Sequence, residues 1–149
     1  MFLNSPELVN TLNNLPIDGE EVIIDIVEQD FSTITFEQQA RIVGSSSIII
    51  GMHGSGIASS VHMPVGTKYC CGVIEIFPAV EEFKSIRGYG NMARRMGHHY
   101  RRLELLEKDT SPDGSSVPAA QLESIVMELI SSILKKPSCL LPAVIKRPI

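Results

Sequence analysis

The chain has 149 residues, a formal net charge of −4, 44% hydrophobic residues and three cysteines. That length suits one domain with a real core rather than two, and the apolar share is too high for intrinsic disorder. Net acidity argues against a general nucleic-acid binder, three cysteines argue against a dense disulfide scaffold, and no apolar run approaches the roughly 18 residues that cross a bilayer.

The first ten residues, MFLNSPELVN, show neither the basic start nor the long apolar stretch of a signal peptide. Ser5, Pro6 and Glu7 suit the cap and first turn of a helix, and Leu8, Leu12 and Leu15 follow near helical spacing. Asn13, Asn14 and Pro16 end it, and Asp18-Gly19 is a turn. Residues 22–27, β-branched and almost continuously apolar, predict a buried strand. Thr35 and Gln38 fit a capping box for a second helix, which presents Phe36, Ala40 and Val43 on one face and stops at Gly44.

Residues 47–52 predict the next strand, which runs straight into His53-Gly54-Ser55-Gly56 and a short segment ending at Met63. Pro64 and Gly66 mark a turn, and residues 71–77 predict a strand stopped by Pro78. Residues 91–98 suit a short helix, residues 100–105 a strand, and residues 109–116, rich in Asp, Ser, Pro and Gly, a loop. Leu122, Ile125, Val126, Leu129, Ile130 and Ile133 trace the clearest helical stripe, with Glu123, Ser124 and Glu128 on its far side. Prolines 137, 142 and 148 leave little regular structure after that helix, so the expected layout is one domain over residues 1–135 and a tail over residues 136–149. Alternation of helix and strand with short links predicts an α/β fold, a Rossmann-like parallel sheet flanked by helices and joined by right-handed crossovers.

Charge is uneven along this layout. Residues 1–40 hold eight acids and no Lys or Arg, whereas residues 84–108 hold seven bases against Glu104 and Glu107. The two regions read either as differently solvated faces or, for the second, as a local anion site that net acidity does not prevent.

The chemistry concentrates at residues 48–57. A buried strand gives way to a glycine-rich turn and then a short helix near Ser55, so backbone N–H groups can approach a ligand without Cβ clash. Beyond the carboxyl end of a parallel strand, that arrangement suits a phosphate; it equally suits a tight strand-to-helix turn built for packing. Neither G-x-G-x-x-G nor the phosphate-binding G-x-x-x-x-G-K-[ST] is present. His53-Gly54-Ser55-Gly56 has the look of an esterase oxyanion loop, but the G-x-S-x-G elbow such an enzyme needs is missing.

The ordered set of Phe36 to Val43, Ile48 to Ile57 with its HGSG turn, Met63 to Gly66, and Val73-Ile-Glu-Ile-Phe-Pro78 resembles the C-terminal half of glycosyltransferase family 61. The resemblance is strongest over residues 36–78 and extends more weakly to residues 4–8 and 96–100. It departs from the family pattern at Ser55, usually alanine, and Ile57, usually leucine. It implies the donor-binding half of a two-domain GT-B glycosyltransferase, inverting and metal-independent, with no cofactor beyond the nucleotide-sugar donor, a UDP-sugar, as substrate. It implies that Gly54, Ser55 and Gly56 lie near the donor diphosphate, that His53 serves as the catalytic residue by donating to a phosphate oxygen, and that Glu75 accepts from ribose hydroxyls. Gln38 matches the family's glutamine, although capping explains it equally well. The partners so implied are the nucleotide-sugar donor and a protein or glycan hydroxyl acceptor, with no nucleic acid and no membrane segment. Relatives of this kind work in the secretory lumen. Acceptor contacts and the catalytic base are expected in an N-terminal lobe upstream of Met1.

In metal-independent transfer, fixed positive charge must stabilise the departing nucleoside diphosphate, which makes Arg87, Arg94 and Arg95 further candidates against ordinary surface charge. His62 suits a structural role, and His98 and His99, as neighbours, diverge on any regular element. No HxH, HExxH or CxxC spacing occurs, so no metal is expected. Cys71 suits strand packing, and sequence does not choose whether Cys70 or Cys139 forms a disulfide. Two other classes share the same residues: a catalytically inactive nucleotide or anion-binding module, and a flavodoxin-like interaction domain with no ligand.

Overall fold

A computed structural model of the chain describes residues 2–17, 25–65 and 71–135. At its centre lie three parallel strands, β1 (Ile48–Met52), β2 (Gly72–Phe77) and β3 (His99–Glu104), in the spatial order β1-β2-β3. Ile48 stands beside Gly72, and Gly72 beside His99, so the strands start level and their carboxyl ends gather at one edge. β2 is buried along its whole length, as a central parallel strand covered on both faces must be.

Side chains alternate across β2 and divide the core in two. Ile74 and Ile76 pack with Leu8 and Leu12 of α1 (Ser5–Asn13) and with Leu122, Val126, Leu129 and Ile130 of α5 (Ala119–Leu134). Val73 joins Val43 of α2 (Phe36–Gly44), Ile57 of α3 (Ser55–Ala58) and Ala93 of α4 (Gly88–Arg95). The α/β class with helices about a parallel sheet is thus the one the alternation predicts. Among the described residues no helix is long and apolar enough to cross a membrane.

The capping box at α2 is complete: Thr35 Oγ1 accepts from the Gln38 N–H, and the Gln38 side chain accepts from the Thr35 N–H. The three strands fall within one residue of their expected spans. Elsewhere the structure corrects the sequence reading. α4 begins at Gly88, three residues before the expected start, and ends at Arg95, because Gly97 adopts φ +82° and turns the chain out of the helix. Two glycines in its first turn are poor helix formers and hide that turn from the sequence. Of the strand expected over residues 22–27, residues 22–24 lie outside the described residues; residues 25–27 are not in a strand, and Ile26 packs against the α1–α5 core. The loop over residues 109–116 contains a small antiparallel pair, β4 (Thr110–Ser111) and β5 (Gly114–Ser115), and Phe2 bridges to Ser115. Gly66, Cys70, Cys139 and the tail over residues 136–149 lie outside the described residues.

Candidate functional site

β1 ends at Met52, but its pairing with β2 continues one step further, since the His53 backbone N–H donates to Ile76 O at 2.6 Å. The chain then turns through Gly54, which has φ +157° and ψ −179°, a conformation L side chains rarely adopt, and enters the single turn α3. Glycine at 51 lets α3 fold back on β1, because a Cβ there would meet Ile57 Cδ1 at 2.9 Å. Around Gly54 and Gly56 the space is open: an added Cβ would meet nothing closer than 4.0 Å. Ser55 and Gly56 are exposed.

Glu75 is the acid of β2 and only 1% exposed. Its Oε1 lies 2.6 Å from His53 Nδ1, and its Oε2 accepts from the Tyr100 hydroxyl at 2.6 Å. An ionised carboxylate only accepts, so Nδ1 carries a proton and donates, and Nε2 is the ring nitrogen that can meet a ligand. The His53 side chain keeps 12% of its surface exposed. Its ring stacks on Phe77 (centroids 4.5 Å apart, planes at 16°) and is flanked by Phe83 at 4.9 Å and Tyr89 at 5.7 Å. Burial first, and then the bond to Glu75, push the Tyr100 phenol well above its ordinary range against the opposing charges of Arg102 and Arg94, so it remains a protonated donor.

A second support comes from Arg102. Its guanidinium lies 3.5 Å from the centre of the Phe77 ring and donates to Ile86 O at 2.7 Å, Phe83 O at 3.0 Å and Glu104 Oε1 at 2.7 Å. The fork thereby ties the segment carrying Phe83 to β3, next to the ring that His53 stacks on.

Of the residues singled out from sequence, His53, Gly54, Ser55 and Gly56 form one turn at the carboxyl edge of the sheet, and β2 brings Glu75 to it. Both Glu75 oxygens are engaged inside the protein, one with His53 and the other with Tyr100. Gln38 closes the α2 cap, and no hydrogen bond among the described residues joins it to His53 or Glu75. Arg87 donates to Lys84 O and Ile86 O of its own segment, Arg94 lies 4.8 Å over the Tyr100 ring, and Arg95 is exposed. His62 meets Phe36 edge-on at 5.2 Å, and His98 is buried. Sequence reasoning missed Tyr100, Arg102, Phe77, Phe83 and Tyr89. The alternation of Tyr100 and Arg102 along β3 carries the signal, but it acquires meaning only with the register, which sets Val73 beside Tyr100 and Glu75 beside Arg102.

The profile of the family Glycosyltransferase 61 matches residues 1–70, and the chain is similar to that family, whose namesakes transfer glycosyl groups. Over 99 residues, 66% of this chain, it is 32% identical to the EGF domain-specific O-linked N-acetylglucosamine transferases of Gallus gallus and of Canis lupus familiaris, of which the match covers 16%. Over 106 residues, 70% of the chain, it is 30% identical to the Alpha-1,3-arabinosyltransferase XAT3 of Oryza sativa subsp. japonica, of which the match covers 17%. The chain thus spans about a sixth of the length of these relatives.

Proposed function

We propose that this chain is the donor-binding half of a GT-B glycosyltransferase that moves a sugar from a nucleotide donor, a UDP-sugar, to a hydroxyl of a protein or glycan. The observation that carries the reading is the His53–Glu75 pair at the rim of an open glycine turn, beyond the carboxyl end of a parallel strand, where ligands of such sheets gather. The donor diphosphate lies over residues 53–56, in the open space where a side chain at 54 would stand. The protonated His53 ring donates from Nε2 to a phosphate oxygen while Nδ1–H stays on Glu75. As the bond between the anomeric carbon and the phosphate oxygen breaks, its electron pair leaves with the diphosphate, and the hydrogen bond from Nε2 strengthens with the charge that develops there. The acceptor oxygen attacks the opposite face of the sugar and inverts the anomeric carbon, its proton passing to a base contributed from outside this chain. Metal ions take no part in this scheme, and the enzyme works in the secretory lumen.

Titration calorimetry of the chain with UDP, beside ADP and GDP, tests the reading. UDP binds; His53→Ala weakens it at least about tenfold, the loss of one charge-assisted contact, and Gly54→Val weakens it as much by filling the approach of the phosphate. Absence of nucleotide binding, or full affinity in His53→Ala, refutes it.

A further inference from the structure

The support beneath Glu75 reaches one element further than the site itself. Tyr100 lies on β3, diagonal to Glu75, and its hydroxyl holds the carboxylate oxygen that His53 does not use. What positions the phenol is α4. A Cβ built on Gly90 would meet Tyr100 Cε1 and Cζ at 2.8 Å and the hydroxyl at 3.2 Å, and Arg94, one turn on, lies over the same ring at 4.8 Å. Gly90 is itself buried. Glycine is a poor helix former, and it is tolerated here where close approach to a ring requires it.

We infer that Tyr100, seated on Gly90, is a positioning residue that fixes the imidazole of His53 through Glu75, so that α4 determines which ring nitrogen faces the ligand. The phenol takes one carboxylate oxygen and leaves the other aimed at Nδ1. Without it, the carboxylate rotates and the neutral ring loses its preference for the proton on Nδ1. This role serves the donor site proposed above, but the ring state it predicts exists without any ligand.

The ring nitrogens of 15N-histidine-labelled protein, recorded above about pH 8 where an ordinary histidine is neutral, read the tautomer directly. In the unaltered chain the His53 signals show the proton on Nδ1. Tyr100→Phe and Gly90→Ala both convert them to a mixture of tautomers, although Gly90→Ala favours the helix by its own propensity. Val126→Ala, in the core on the opposite side of the sheet, lowers stability and leaves the His53 signals in place. UDP affinity falls by up to about tenfold in the first two variants, at most the loss of the one charge-assisted contact that His53 makes. Unaltered His53 signals in Tyr100→Phe, or in Gly90→Ala should Tyr100→Phe fail to fold, overturn the inference, as does a proton found on Nε2 in the unaltered chain. A tautomer mixture with unaltered UDP affinity upholds the positioning role and refutes the donor reading instead.

Discussion

Glu75 occupies a strand whose other residues are Gly, Val, Ile and Phe, and its two hydrogen bonds make a sharp energetic prediction. Replacing it by methionine, similar in length and apolar, leaves the His53 Nδ1–H and the Tyr100 O–H without their acceptor. Each orphaned donor costs about 1–3 kcal/mol, so Glu75→Met loses about 2–6 kcal/mol, with the partly exposed His53 at the low end. Tyr100→Phe alone removes a donor from a buried charged acceptor and costs about 1.5–3 kcal/mol. In the Glu75→Met background the same change removes an orphan hydroxyl and returns about 1–3 kcal/mol. The sign therefore reverses between backgrounds. Urea unfolding measures it; the chain has no tryptophan, so far-ultraviolet circular dichroism is the probe. At the 1–3 kcal/mol per molar typical of small domains, each step moves the midpoint by about 1 M at unchanged slope. An equal loss from Tyr100→Phe in both backgrounds, or none in either, refutes the claim that phenol and carboxylate depend on one another.

Two further outcomes follow from the same geometry. Arg102→Lys keeps the charge but cannot span the Phe83 and Ile86 carbonyls with one fork, so trypsin should cut at Lys84 or Arg87 about tenfold faster, and an unaltered rate would remove Arg102 from its role as the tie on that segment. Burial holds the His98 imidazole below its ordinary value of 6.5, with the Ser60 backbone opposing. As pH falls through 6.5 the unfolded chain takes up the proton first, so the stability His98 contributes is complete above that pH and is lost on acidification toward its folded value. His98→Gln should flatten the loss of stability between about pH 7 and pH 5; equal slopes in both proteins would show that His98 is not its source.

Local chemistry was legible in the sequence, and lateral placement was not. The stripe from Leu122 to Ile133 and the Thr35–Gln38 box depend on residues three or four apart, and both form as read. The HGSG turn was legible because strand, glycines and helix start are contiguous. Tyr100 and Glu75 lie 25 residues apart, and only the β2–β3 register brings them together. α4 was misplaced for a related reason. Gly88 and Gly90 argue against a helix by propensity, whereas the argument for Gly90 is the Tyr100 ring, which belongs to another element.

Glu75 and the register are in fact one constraint. A carboxylate on the central strand of a parallel sheet is tolerated only when paired, and its two donors come from the chain on either side: His53 one step beyond β1, Tyr100 from β3. A slip of β3 by one residue would turn Tyr100 toward α5 and put Arg101, which pairs with Glu128 of α5 at 2.8 Å, on the face of Glu75. That slip would take the Tyr100 hydroxyl from Glu75 and the Arg101 guanidinium from Glu128. The polar contacts that aim the His53 ring therefore also select the strand alignment.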